Sequence, residues 1–325
     1  MNRNSIGAFA LLASLCGGAW AQATVTLYGI VDVGLNKGNG GTATNAGANG
    51  TSKAWMEKSA TSSRLGFRGS EDLGGGLYAQ FELQHRFNPD DGTPQTPFFT
   101  GKSIVQLFSR TLGTVYLGRT YMPAFGVGVK TDPFGLNGVG QVTSFGGFRA
   151  TDGLRTSNTV GYITPSFDGL SAQFAASAGE ALVGRDTGLA VEYSKGPLYI
   201  GAATDRITDG PAANKSNSVV NVGVSYDFGF ITPMAYYARA KVGVNGATSG
   251  NYYTVGATAP VGPGLLKLVV ARLSQTNPSN HRTKFAAGYN YNLSKRTYLY
   301  FDLAKAREDN KTNNSVYSIG VTHSF

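Results

Sequence analysis

Apolar and polar residues alternate with a period of two through most of this chain, and that property leaves few folds open. Val25, Leu27, Val31, Val33 and Leu35 alternate with Thr24, Thr26, Asp32, Gly34 and Asn36. Leu77, Ala79, Phe81 and Leu83 alternate with Tyr78, Gln80, Glu82, Gln84 and Arg86. Val220, Val222, Val224, Tyr226 and Phe228 are set against Asn221, Gly223, Ser225 and Asp227, and Tyr317, Ile319, Val321, His323 and Phe325 against Ser318, Gly320, Thr322 and Ser324. Successive side chains of an extended chain point to opposite faces, so these segments are strands with one apolar and one polar face. Leu265 to Ser274 is ambiguous in phase, and no long segment carries a helical stripe.

The connections restrict the topology further. Short glycine-rich turns fall at Asp72 to Gly75, Leu112 to Thr114, Phe167 to Gly169, Lys195 to Pro197, Asp227 to Gly229, Val261 to Gly264 and Leu293 to Lys295. Longer polar links cover roughly 37–62, 88–101, 122–156, 179–186, 207–217, 243–250, 275–282 and 308–314. Seven turns alternating with eight links join sixteen strands, with all turns on one rim and all links on the other. The implied architecture is all-β: a 16-stranded antiparallel barrel of up-and-down hairpins. A soluble barrel of this size would enclose a lumen too wide for side chains to fill. The consistent arrangement is inverted, with apolar residues on lipid and polar residues on water, and closure pairs every backbone group as hydrocarbon demands. A secreted multi-sheet protein is the alternative; it explains the alternation but not the turn-and-link rhythm.

Composition agrees with a transmembrane β-barrel. Only 14% of residues are charged, whereas 45 glycines, 17 tyrosines and 18 phenylalanines suit many strands and tight turns. Residues 1–21 read as a signal peptide: Arg3 is the positive end, Ile6 to Leu15 is an apolar stretch too short to span a bilayer, and Ala19-Trp20-Ala21 offers a small-x-small cleavage pattern. A cut after Ala23 is the alternative to one after Ala21, and Cys16 leaves with the segment in either case. The mature chain, 22–325, then has no cysteine for disulfide, thiolate-metal or thiol chemistry. Removing Arg3 lowers the net charge from +9 to +8, and an exported basic protein meets lipid phosphate and small anions in place of nucleic acid. No other stretch of about 18 apolar residues offers a membrane-spanning helix.

Several motifs carry a resemblance. Thr26-Leu27-Tyr28-Gly29, Ser63-Arg64-Leu65-Gly66-Phe67-Arg68-Gly69 with Glu71-Asp72-Leu73-Gly74, and Gly113-Thr114-Val115-Tyr116-Leu117-Gly118-Arg119 lie in the first half. Asn158 to Gly169, with Tyr162, Thr164-Pro165 and Asp168-Gly169, and the final Gly320-Val321-Thr322-His323-Ser324-Phe325 complete the set. Together, and in this order, they resemble the trimeric sixteen-stranded porins of Gram-negative bacteria, especially the neisserial and burkholderial type. The resemblance implies a homotrimer in the outer membrane and a water-filled channel for passive diffusion of small hydrophilic solutes and ions, with no cofactor. It makes 122–156 the third external loop, folded into the lumen as a constriction, with Phe125, Phe134, Phe145 and Phe148 suited to a packed loop. It makes Phe325 the signal read by the barrel assembly machinery, a role compatible with an interfacial aromatic.

Charge at the constriction follows partly from phase and partly from the resemblance. Arg64 and Arg68 share the strand face opposite to Leu65 and Phe67 and so face the lumen. The family's basic cluster maps onto Arg64, Arg119 and Arg155. Simple alternation groups Arg119 with Val115 and Leu117, so a bulge near Gly118 is needed to turn it inward. The loop offers Asp132 and Asp152 across from this wall, and Lys130 and Arg149 partly cancel them. An excess of arginine at a narrow, low-dielectric passage attracts anions, which implies a mild anion preference. The competing reading has these arginines paired with Glu71, Asp132 or Asp152, only fixing the loop. A substrate-specific channel would line the lumen with an aromatic ladder, for which Tyr28, Tyr78, Tyr116, Tyr298 and Tyr300 are candidates. A barrel-type hydrolase would need a base among His85, His281 and His323, and no serine motif accompanies them. The basic loops are also candidates for binding lipopolysaccharide phosphates.

Overall fold

A computed structural model describes residues 24–44, 51–142, 155–178, 184–208, 217–242, 248–276 and 279–325. The expected signal peptide and its cleavage site, together with Phe145, Phe148, Arg149 and Asp152, lie outside the described residues.

The strands are β1 (Thr24–Gly38), β2 (Trp55–Glu57), β3 (Arg64–Gly74), β4 (Leu77–Arg86), β5 (Ser103–Ser109), β6 (Gly113–Tyr121), β7 (Arg155–Ile163), β8 (Leu170–Ser177) and β9 (Arg185–Lys195). They continue as β10 (Leu198–Thr208), β11 (Ser218–Tyr226), β12 (Thr232–Val242), β13 (Thr248–Val261), β14 (Gly264–Thr276), β15 (Asn280–Asn292), β16 (Thr297–Glu308) and β17 (Asn314–Ser324). Every pairing is antiparallel between neighbours, and β1 closes the cylinder against β17 from Ile30↔Ser324 to Gly38↔Val316. β2 and β3 share one place in the wall: β3 pairs with the inner end of β1, and β2 with its outer end at Leu35, Asn36 and Lys37. The barrel is therefore sixteen-stranded. No helix among the described residues is long and apolar enough to cross a membrane.

Local chemistry sets the turns. Asp168 and Gly169 both take positive φ (51° and 94°), as a two-residue hairpin loop that follows the strand twist requires. The Asp72 and Asp227 carboxylates each accept the N–H two residues on, from Gly74 and Gly229, both at 2.8 Å.

The outward phase is apolar and bare, with Val25 (64% exposed), Val105, Val160, Val255 and Phe301 among many such residues. A soluble fold would bury them; in hydrocarbon they are satisfied. The packed core sits inside the cylinder. Ala124, Val127, Phe134, Val139 and Val142 of the third loop bury against Ala190, Ala203, Val219, Ala238, Val269, Ala271, Ala286 and Ala304 of the wall. The inward face of β9–β16 is thus not uniformly polar. That explains the ambiguous phase of Leu265 to Ser274, where Leu268 and Val270 face outward while Val269, Ala271 and Leu273 are buried inside.

Candidate functional site: the lumen and its third loop

The third loop begins with a short helix, α1 (Pro123–Lys130), whose proline sits where no N–H is needed. Asp205 of β10 receives the Ala124 N–H at its positive end, 3.2 and 3.3 Å from the two carboxylate oxygens. Lys130 in the last turn reaches Glu192 of β9 at 2.5 Å. Asn221 of β11 donates to the Ala124 carbonyl at 2.9 Å.

Beyond α1 the loop continues along the same wall. The Asp132 carboxylate accepts N–H groups from Phe134 (3.2 Å) and Leu136 (2.8 Å), and it is only 5% exposed. Burial pushes its carboxyl up to about 6, against the pull of those N–H groups and of Lys284. Lys284 of β15 donates to the Gln141 carbonyl at 2.6 Å, and Lys267 of β14 pairs with Asp302 of β16 at 3.0 Å beneath the Phe134 ring. At the tip, the Gly138 N–H meets the carbonyl of Ala60 at 2.7 Å, in the segment between β2 and β3. That segment is tied to β1, where Asp32 accepts the Ala60 N–H (2.7 Å), the Thr322 hydroxyl (2.5 Å) and the Tyr300 hydroxyl (3.2 Å).

A track of inward glycines receives the loop. A Cβ at Gly188, Gly201, Gly223, Gly256 or Gly288 would strike Pro123, Val127, Thr131, Pro133 or Phe134 in turn. Sequence reasoning assigned glycine chiefly to turns and missed this track, because an inward glycine in a strand carries no sign of what rests on it.

The other side of the lumen is basic. Arg64 of β3 and Arg86 of β4 stand directly opposite each other in the ladder. Like charges in that position are destabilising, so the pair does not serve the stability of the wall. Arg86 also donates to the Tyr121 hydroxyl at 3.2 Å. The Arg155 guanidinium lies 4.2 Å from the centroid of the Tyr121 ring and donates to its hydroxyl. Tyr121 is in turn stacked on Phe125 of α1, with centroids 4.0 Å apart.

Arg119 depends on a bulge. The β6–β7 register shifts between Gly118 and Thr120, Gly118 has φ 123°, and two residues of β7, Ser157 and Asn158, oppose Arg119. The extra residue lies on β7, and the β5–β6 ladder runs unbroken through Ser103↔Arg119; Arg119 donates to Ser157 Oγ at 3.0 Å and to the Thr100 carbonyl at 3.4 Å. Arg119, Arg86 and Arg64 all lie within electrostatic reach of Arg155. Arg64 and Arg86 form no ion pair among the described residues.

Arg68 is set apart. It lies over the Tyr28 ring beside Glu82, which binds Lys102 at 2.8 Å and the Tyr28 hydroxyl at 2.6 Å. This mixed-charge patch opens on a cavity of about 310 Å³ that Gln80 and Gln106 also line. Arg86 and Tyr121 were absent from the expected set. The inward phase of Arg86 was legible, but its register against Arg64 was not.

The remaining candidates fall outside the lumen or behind its surface. Phe325 exchanges both backbone hydrogen bonds with Gly29, each 3.1 Å, and its ring lies against Gly29 where the wall closes. His85 stacks on Phe98 at 4.2 Å beside the outward Leu65. Tyr116 and Tyr300 are 3% and 2% exposed, lying over Gly161 and Gly320, and so add no open rungs to an aromatic ladder.

A closed sixteen-stranded antiparallel barrel, apolar outside and narrowed inside by its own third loop, is a transmembrane channel of the outer-membrane type. A family model of Gram-negative porins matches residues 8–311, and the chain belongs to that family. It is 34% identical over 337 aligned positions to outer membrane porin protein 32 of Delftia acidovorans, covering 98% of this chain and 93% of that one. It is 29% identical to an outer membrane porin protein of Bordetella pertussis, covering 99% and 100%. Among solved structures it resembles the anion-selective porin from Comamonas acidovorans, with a TM-score of 0.81, 29% identity, and 94% and 100% of the two chains covered. The protein is a porin, a passive channel of the Gram-negative outer membrane.

Proposed function

We propose that this porin prefers small anions, and that Arg64, Arg86, Arg119 and Arg155 form the selective wall of its constriction. The observation that carries this reading is the Arg64↔Arg86 pair: two arginines directly opposite each other in the ladder, neither in an ion pair among the described residues. In a low-dielectric passage their summed field attracts anions and repels cations. The relative from Comamonas acidovorans, named as anion-selective, supports the same sign. Asp132 acts by fixing the loop opposite the arginines, and Arg68 guides solutes below the constriction beside Glu82.

Transport needs no chemical step and no cofactor: solutes cross hydrated, down their gradient. The outward-turned His85 and the covered Tyr116 and Tyr300 favour this reading over a hydrolase or an aromatic-ladder channel. Residues 1–21 direct export, Phe325 is the assembly signal, and the working unit is a homotrimer that also contacts lipopolysaccharide. The test is the reversal potential of the purified channel in a planar bilayer under a salt gradient. Wild type gives an anion-selective potential, and Arg64→Ala moves it toward zero. A cation-selective wild type would refute the charge assignment.

A further inference from the structure

Below the arginine pair the same strands carry a second polar station. On β3 and β4 the inward positions descend from Arg64↔Arg86 through Gly66↔Gln84 to Arg68↔Glu82 and Ser70↔Gln80, toward the rim of short turns. β1 and β5 extend the last two rows. Thr26 lies beside Arg68 and Ile104 beside Glu82; Thr24 lies beside Ser70 and Gln106 beside Gln80. These two rows line the cavity of about 310 Å³.

Opposite charges that face each other across a ladder stabilise it by pairing. Arg68 and Glu82 do not close on each other. Glu82 is engaged elsewhere: Oε2 accepts the Lys102 ammonium at 2.8 Å and Oε1 the Tyr28 hydroxyl at 2.6 Å. Arg68 is exposed, 5.4 Å from the centroid of the Tyr28 ring, with no side-chain hydrogen bond or ion pair among the described residues. A carboxylate oxygen can accept two hydrogen bonds, so Glu82 keeps capacity at both, and Arg68 keeps its planar fork of donors. The Lys267–Asp302 pair on the other wall is the opposite case, closed at 3.0 Å with its side chains only 9% and 2% exposed. A separated, open pair is completed by a solute that brings both charges.

We infer that Arg68 and Glu82 form a binding station for zwitterionic α-amino acids with short polar side chains. This rests on the reading above that solutes pass Arg68 beside Glu82, and it names their class. The solute carboxylate lies on the Arg68 guanidinium in a two-bond fork, and its ammonium donates to Glu82. A plain carboxylate would leave Glu82 facing it, and a plain amine would meet Arg68 and Lys102. The side chain reaches the next row, where Gln106 donates to Gln80 at 2.7 Å and Gln80 to Ser70 at 3.3 Å. That floor of amides and hydroxyls can pair with an amide or hydroxyl side chain, whereas an aliphatic one would cover it unpaired.

The test compares L-glutamine with glutaramate, which lacks its ammonium, and with 4-aminobutanamide, which lacks its carboxylate. Binding is read from solute-induced current noise of the purified channel in a planar bilayer at neutral pH. Wild type binds glutamine about tenfold more tightly than either analogue, the loss expected for one charge-assisted contact. The arginine wall alone would rank glutaramate, the one anion, first, so the order of the three separates this station from the anion preference. E82Q removes the advantage over glutaramate, and R68Q the advantage over 4-aminobutanamide. Glutaramate bound as tightly as glutamine by wild type, or either advantage surviving its variant, overturns the proposal. Should one variant fail to insert, the wild-type ranking and the other variant decide the question. A cation-selective reversal potential would refute the wall and leave this ranking to decide the station.

Discussion

The two halves of the inner wall do opposite work with the same strand geometry. On β9–β16 many inward positions under the loop are alanines and glycines, and charges among them are matched: Asp205 to the start of α1, Glu192 to Lys130, Asp302 to Lys267. That half is a cradle, and its apolar contacts with the loop remove surface from water as a soluble core does. On β3 and β4 the inward positions hold Arg64 and Arg86, like charges directly opposite each other, with Tyr121 bracing Arg86. Matched charge holds the loop in place and leaves the unmatched charge facing the passage. Fixing the loop on one half therefore lets the other act on solutes.

The contrast can be broken from the cradle side with the largest effect. Val127 is fully buried between the loop and the wall, so Val127→Asp places a lone carboxylate there at a cost of about 3–5 kcal/mol. The loop should leave the wall, raising single-channel conductance and open-channel noise while the barrel still folds; unaltered conductance would show that the cradle does not hold the constriction. From the arginine side, Arg86→Gln should lower anion selectivity in the reversal potential as Arg64→Ala does. It should also relieve the like-charge pair, raising thermal stability by about 0.2–1 kcal/mol. A selectivity equal to wild type would remove Arg86 from the wall.

The smallest effect concerns pH. Burial holds Asp132 near 6 in the folded loop, against about 3.9 for a free aspartate. A carboxyl raised in this way favours docking while it is protonated, and that contribution is lost as pH rises from about 3.9 through about 6. Open-channel noise should accordingly grow over that window in wild type and stay flat in Asp132→Asn. The same pH profile in both proteins would exclude Asp132 as the titrating group.

Much of this was legible in the alternation. Strands that face lipid on one side and water on the other must repeat every two residues, and glycine-aspartate turns must interrupt them, so strand number, closure and the inward phase of Arg64 followed from residues alone. A bulge near Gly118 was expected from the phase of Arg119; the register shifts there, but the extra residue sits on β7, at Ser157 and Asn158, which no pattern in β6 could indicate. Register was not legible. The three glycines Gly74, Gly75 and Gly76 all take positive φ, and the β3–β4 ladder slips by one residue between Asp72 and Gly74. An unbroken ladder from Gly74↔Leu77 would have set Arg64 against Phe87; the slip sets it against Arg86.

By itself the sequence determined a sixteen-stranded barrel, because a backbone in hydrocarbon has no partners except neighbouring strands, and each strand must show its apolar side to the lipid. The tertiary structure alone decided which arginines meet and where the third loop lies. Both depend on contacts between segments far apart in the chain: one ladder slip beside a turn, and a row of glycines on separate strands. No local pattern encodes such contacts, since an inward glycine or arginine reads alike whether it borders water, a loop or its own kind.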